Sequence, residues 1–123
     1  MRYKALIVSI KGTKLSKKER ILIAKYKPWG VILFKRNLKN ILKIKSLIFN
    51  IKKLARNKKF PIIIDEEGGS VSRLKGLINH DISANFFGNL FSKNRNFCLK
   101  IYKQYIYSLI KTLNNLGINI NTI

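Results

Sequence analysis

Short apolar runs alternate with longer amphipathic stretches along this chain. Ala5-Leu-Ile-Val-Ser-Ile10 is an apolar run closed by Lys11-Gly12, which predicts a strand. Ser16-Lys-Lys-Glu19 follows, a hydroxyl with a glutamate three residues on, the pattern of a capping box. It predicts a short helix to about Lys25, stopped by Pro28. Gly30-Val-Ile-Leu-Phe34 is apolar at every position after the glycine, as in a strand buried on both faces.

Asn37 or Asn40 can cap the next helix. Ile41, Ile44, Leu47, Ile48, Ile51 and Leu54 recur every three or four positions, and Lys39, Lys43, Lys45, Lys52 and Lys53 lie mostly off that stripe. Asn57 and Lys58 are expected to end it. Pro61 to Ile64 predicts a third strand, and residues 66–92 read as mostly irregular. A long helix is expected from about Lys93 to Leu116, with Cys98, Ile101, Tyr105, Leu109, Leu113 and Leu116 near one face and Gly117 as its C-terminal cap. Ile118 to Ile123 reads as a fourth strand.

Strands alternating with amphipathic helices predict an α/β fold with a parallel sheet and right-handed crossovers. The order suits a small open sheet or about four β/α units from the N-terminal part of a TIM (β/α)8 barrel. A whole barrel takes about 250 residues, and the chain has 123. The ending in an apolar strand favours the partial barrel, with residues 1–123 as one truncated domain. Half a barrel would leave strand edges exposed, and Ile62 and Ile64 are expected to be partly open.

Composition changes the picture in two ways. Twenty-six Lys and Arg against five Asp and Glu give a formal charge of +21. Such an excess ordinarily points to a polyanion. Here lysine rises together with isoleucine and asparagine, as codon bias in an AT-rich genome produces, and the lysines are spread along the chain. A solvated basic surface is therefore expected, with no nucleic-acid partner. A non-catalytic module that binds nucleic acid through its lysines is the alternative function. Cys98 is the lone cysteine, which excludes an internal disulfide and suits a small buried hydrophobe. No apolar stretch reaches the ~20 residues of a membrane span, and the N-terminal apolar run is short for a signal peptide. The expectation is a cytoplasmic protein without a membrane partner, cofactor or metal.

The second change is where the acids fall. Three of the five, Asp65, Glu66 and Glu67, stand together in Pro61-Ile-Ile-Ile-Asp-Glu-Glu-Gly-Gly-Ser-Val-Ser-Arg73. In parallel α/β folds, ligands bind at the carboxyl ends of strands. Asp65 is the first residue past the strand, and a carboxylate can accept hydrogen bonds from adjacent hydroxyls, which suits a sugar. Gly68 and Gly69 permit backbone conformations closed to other residues. Arg73 can fold back onto a carboxylate or donate to ligand oxygens. Adjacent Glu66 and Glu67 are expected to diverge.

Gly30-Val-Ile-Leu-Phe-Lys-Arg-Asn37 and Ile63-Ile-Asp-Glu-Glu-Gly-Gly-Ser-Val-Ser-Arg73 together resemble the N-terminal region of glycoside hydrolase family 3. The nearest branch is the bacterial β-N-acetylhexosaminidases of peptidoglycan recycling. Gly12-Thr13 with Leu15 and Glu19-Arg20, Pro28-Trp29-Gly30, and Leu116-Gly-Ile-Asn-Ile-Asn121 extend the resemblance over nearly the whole chain. The resemblance implies a glycosidase that releases N-acetylglucosamine from cell-wall muropeptides. It makes Asp65 the ligand of sugar hydroxyls and Arg73 its support in the same substrate-binding subsite. Glu67, Gly68 and Gly69 would shape the loop, and Glu66 would be a bystander. Ser70 departs from the arginine usual there.

The family resembles retaining enzymes with an aspartate nucleophile and, in this branch, a histidine acid/base and a substrate-binding Lys-His pair. None of those motifs occurs here. His80 lies in Asn-His-Asp81, which does not match, and reads as a surface or loop residue. Retaining hydrolysis needs two groups flanking the glycosidic oxygen, so the expected catalytic set is empty and the chain alone is expected to be inactive. Two partial barrels could also close on each other as a dimer; the sequence leaves the oligomeric state open.

Overall fold

The computed structural model describes residues 3–78 and 82–122. His80 and Asp81 lie outside them. Four parallel strands, β1 (Lys4–Ser9), β2 (Pro28–Leu33), β3 (Ile62–Ile64) and β4 (Ile120–Asn121), form one sheet in sequence order. Such an order requires every connection to cross over on one side of the sheet. Helices supply the crossovers: α1 (Lys17–Ile21), α2 (Ile41–Leu54), α3 (Ala84–Lys93) and α4 (Arg95–Leu116).

The sequence signals act locally as expected at several ends. Ser16 and Glu19 form the capping box of α1. A turn of π-helix (Leu22–Tyr26) prolongs α1, and Lys27 ends it in the left-handed region at φ 50°. Pro28 then opens β2, having no N–H to offer a helix. Asn40 caps α2 by accepting from Lys43 N. Asn37 does something else: it is fully buried, accepts from Phe34 N, and donates to Ile10 O and Gly12 O. It thus laces the carboxyl ends of β1 and β2 together. The helix α2 stops at Leu54, ahead of Asn57 and Lys58.

Two expectations need correction. Among the described residues 66–92, the stretch to residue 78 is irregular apart from a 3-10 turn at Gly69–Val71, but Ala84–Lys93 is the helix α3. The helix is stabilised from outside. Phe87 stacks edge-on to Tyr102 at 4.9 Å and tilted to Tyr105 at 5.2 Å, both on α4. Asn94 breaks the two helices apart and caps α4 by accepting from Phe97 N. The second concerns β3. Ile62 and Ile64 are not partly open; they are fully buried against the helix layer, and Ile63 on the opposite face is buried as well.

That helix-side layer is the main core. Val31, Leu33, Ile62 and Ile64 from the strands meet Ile44, Leu47, Ile48 and Ile51 from α2, and Leu109, Leu113 and Leu116 from α4. Full burial of each such side chain is worth about 1.5–3 kcal/mol. Gly117 ends α4 at φ 91°, and Lys52 of α2 donates to its carbonyl at 2.8 Å. Partial burial lowers the pKa of that lysine. The strands β1 and β4 are the sheet edges, and Leu6 and Ile7 on β1 are more than half exposed. No helix is long and apolar enough to cross a membrane.

Candidate functional site

The sheet delivers its polar residues at the carboxyl end of β3. Asp65 follows Ile64 directly, and the chain then turns through Glu66 to Leu74 before approaching α3. Gly68 and Gly69 hold φ values of 76° and 57°, in the left-handed region that a side chain disfavours. Gly69 is also packed closely. A Cβ there would meet Ser83 Cβ at 2.9 Å, so the turn and the N-cap of α3 are in contact through a missing side chain.

Glu66 organises this turn. Its side chain is fully buried. One carboxylate oxygen accepts from Gly68 N at 3.1 Å, and the other accepts from Arg73 N at 2.8 Å and Leu74 N at 2.9 Å. Its own backbone is held by Asn121 of β4, whose side chain accepts from Glu66 N and donates to Glu66 O. Glu66 is therefore no bystander. It supplies acceptors to three N–H groups of a loop that has no regular ladder to use, and buried groups of that kind are costly when unpaired. The shaping role expected of Glu67 belongs one residue earlier. Glu67 is exposed, and no donor reaches its carboxylate among the described residues. The two glutamates do diverge, into the protein and out of it.

Asp65 and Arg73 are brought together. Arg73 Nη2 donates to Asp65 Oδ2 at 3.2 Å, with both side chains about 70% covered. Arg73 Nε is buried without a hydrogen-bond partner. The exposed parts of the guanidinium and of the Asp65 carboxylate keep capacity to donate and to accept. Glu66 makes this geometry possible, because it fixes the backbone of Arg73 itself.

A cleft of about 130 Å3 adjoins the turn, lined by Glu67, Ile82, Phe87, Tyr102, Tyr105 and Asn121 among others. Burial pushes the Tyr105 hydroxyl pKa up, with the negative charge of Glu66 and the Tyr102 hydroxyl adding to the effect. Among the described residues, no cluster of three His, Cys, Asp or Glu side chains could hold a metal ion.

Sequence reasoning missed Glu66 and Asn121. Glu66 and Glu67 are the same residue type side by side, so type alone could not separate them. Asn121 carried a usable signal: Asn119 and Asn121 are alternate polar residues in an otherwise apolar strand segment, and both bond to the β3 segment.

No protein-family model matches the chain. A β-hexosaminidase of Chromobacterium violaceum is 30% identical over 116 residues, covering 94% of this chain and 32% of the relative. One from Psychromonas ingrahamii is 34% identical over 89 residues, 72% of this chain and 25% of the relative. Among solved structures, NagZ from Neisseria gonorrhoeae in complex with N-trifluoroacetyl-D-glucosamine superposes with a TM-score of 0.89 at 26% identity, over 98% of this chain and 35% of that one. A family 3 β-N-acetylglucosaminidase from Paenibacillus sp. str. FPU-7 shares the fold, with a TM-score of 0.84 at 24% identity, over 97% of this chain and 22% of that one. The chain spans between a quarter and a third of the length of the curated relatives it matches.

Proposed function

We propose that the chain is part of a family 3 β-N-acetylhexosaminidase, like the relatives it resembles, and that the Asp65 end of its sheet is the sugar-binding half of a glycosidase active site. Its four strands would be the N-terminal β/α units of an eight-stranded barrel. The observation that carries this reading is the Asp65–Arg73 pair at the mouth of β3, with both side chains about 30% exposed. A carboxylate next to an arginine donor accepts from two neighbouring hydroxyls while the arginine donates to a third oxygen. Terminal N-acetylglucosamine offers such a pattern. The substrate would be a muropeptide bearing that sugar, met in the cytoplasm during peptidoglycan recycling.

Binding and cleavage are separate in this proposal. Hydrolysis with retention needs a nucleophile and an acid/base on opposite sides of the glycosidic bond. Asp65 and Glu66 leave the same strand end side by side, and Glu66 is taken up by three backbone donors, so the two do not flank a bond from opposite sides. The 123-residue chain therefore holds the sugar and does not cleave it. The test is hydrolysis of a chromogenic β-N-acetylglucosaminide by the purified chain. No release of chromophore is expected. Turnover that survives Asp65→Ala and repeated purification defeats the proposal.

A further inference from the structure

Away from the acidic turn, α1 with its π-turn lies beside α2, and the seam between them is a series of open clefts. Arg20, Ala24, Asn50, Leu54 and Arg56 recur in the walls of three of them, of about 190, 330 and 220 Å3, and a fourth cleft of about 590 Å3 lies on α2 and the turn after it, sharing Lys53 and Arg56 with the series. None of the lining residues is acidic. The groove runs from the β1–α1 loop to the turns that enter β2 and β3.

The ends of the groove are built unusually. Lys27 and Arg56 both line the 220 Å3 cleft, and both hold a positive φ, 50° and 52°. Each follows the end of a helix, where glycine is the ordinary solution. Two long cationic side chains stand where the backbone would accept none more easily than any. An exposed ring accompanies them. Phe49 is 66% exposed and lines the largest cleft beside Lys53 and Arg56.

The even spread of lysines along the sequence argued against a nucleic-acid partner. The fold gathers part of them along α1 and α2, with the exposed Phe49 ring beside them. Cations along a groove neutralise successive phosphates, and rings with a free face stack on unpaired bases. Arginine adds a fork that matches phosphate oxygens. We propose that the α1–α2 seam, together with the adjoining cleft at Phe49 on α2, binds single-stranded nucleic acid. This proposal is independent of the sugar site.

The experiment is fluorescence anisotropy of a labelled oligouridylate with the full chain across a salt series. Arg20→Gln/Lys53→Gln/Arg56→Gln should weaken binding roughly a hundredfold near 0.1 M salt and flatten the salt slope by about 2, for three lost contacts to a single strand. Lys100→Gln/Lys103→Gln/Lys111→Gln removes the same charge from α4 and should change affinity by no more than about threefold. Equal losses from the two triples would mean diffuse attraction to a +21 chain and overturn the proposal. Lys27→Gly/Arg56→Gly removes two cations where glycine suits the backbone. Its melting temperature should hold or rise while RNA affinity falls; unchanged affinity overturns the groove. Phe49→Leu should weaken oligouridylate but not inorganic polyphosphate, which has no bases. Unchanged oligouridylate binding by that variant overturns the stacking role and leaves polyphosphate as the fitting class.

Discussion

The loop after β1 and the loop after β3 each fold around a glutamate that collects backbone N–H groups. Glu19 accepts from Lys11 N and Ser16 N, both at 2.7 Å, closing residues 11–16 at the surface. Glu66 accepts from Gly68, Arg73 and Leu74 N and closes its loop in the interior. The bonds are of one kind and the surroundings are not. Water can replace the Glu19 carboxylate if it is lost, and nothing can replace that of Glu66. A surface capping interaction is worth about 1 kcal/mol, whereas a buried charge-assisted network left half-made costs several. The candidate site stands on the second kind of loop, so its geometry and the stability of the chain are tied together.

The largest effect expected from this contrast is at Glu66. Glu66→Ala should cost about 3–5 kcal/mol in denaturant unfolding, because three donors lose their acceptor in a dry place. A loss below about 1 kcal/mol, as at a surface position, would break the comparison. Gly69→Ala comes next. It sets a Cβ 2.9 Å from Ser83 Cβ at φ 57° and should cost about 2 kcal/mol by the same measurement.

Glu19→Gln should cost about 1 kcal/mol at neutral pH. Partial burial raises the Glu19 pKa, but hydrogen bonds from Lys11 N, Ser16 N and the Ser16 side chain, with the charge of Lys11, outweigh it and hold the group below its ordinary 4.5. Its contribution is therefore complete above that value and is lost as pH falls through the lower, folded-state value. The gap between wild type and Glu19→Gln should shrink on acidification below pH 4.5, measured by unfolding at stepped pH. Glu67→Gln should be the smallest change, within about 0.5 kcal/mol.

The same contrast explains what could be read from the chain. The Glu19 loop was legible because a capping box is a local pattern, with both partners three residues apart. The three long apolar runs and the α2 stripe were legible for the same reason: strand and helix periods repeat within a few residues. Glu66 was not, because its partners are backbone groups up to eight residues on and an asparagine 55 residues away. Two adjacent glutamates offered no local difference to separate the inward one. Helix α3 was hidden too. Gly88 and the asparagines at 85 and 89 weaken its intrinsic tendency, and the packing of Phe87 on α4 supplies what the segment lacks. Asp65 and Arg73 were found through a family motif, and their contact follows from the loop that Glu66 closes.

The central claim is that this loop presents Asp65 and Arg73 to a sugar. Two-dimensional NMR of the isotopically labelled chain, titrated with N-acetylglucosamine, tests it most directly. Half a subsite should bind with Kd of about 1 mM or weaker, near −4 kcal/mol. The account predicts saturable shifts at the amides of Gly68, Gly69 and Arg73 that disappear in Asp65→Ala. No shifts at those amides, or the same shifts in Asp65→Ala, would contradict it.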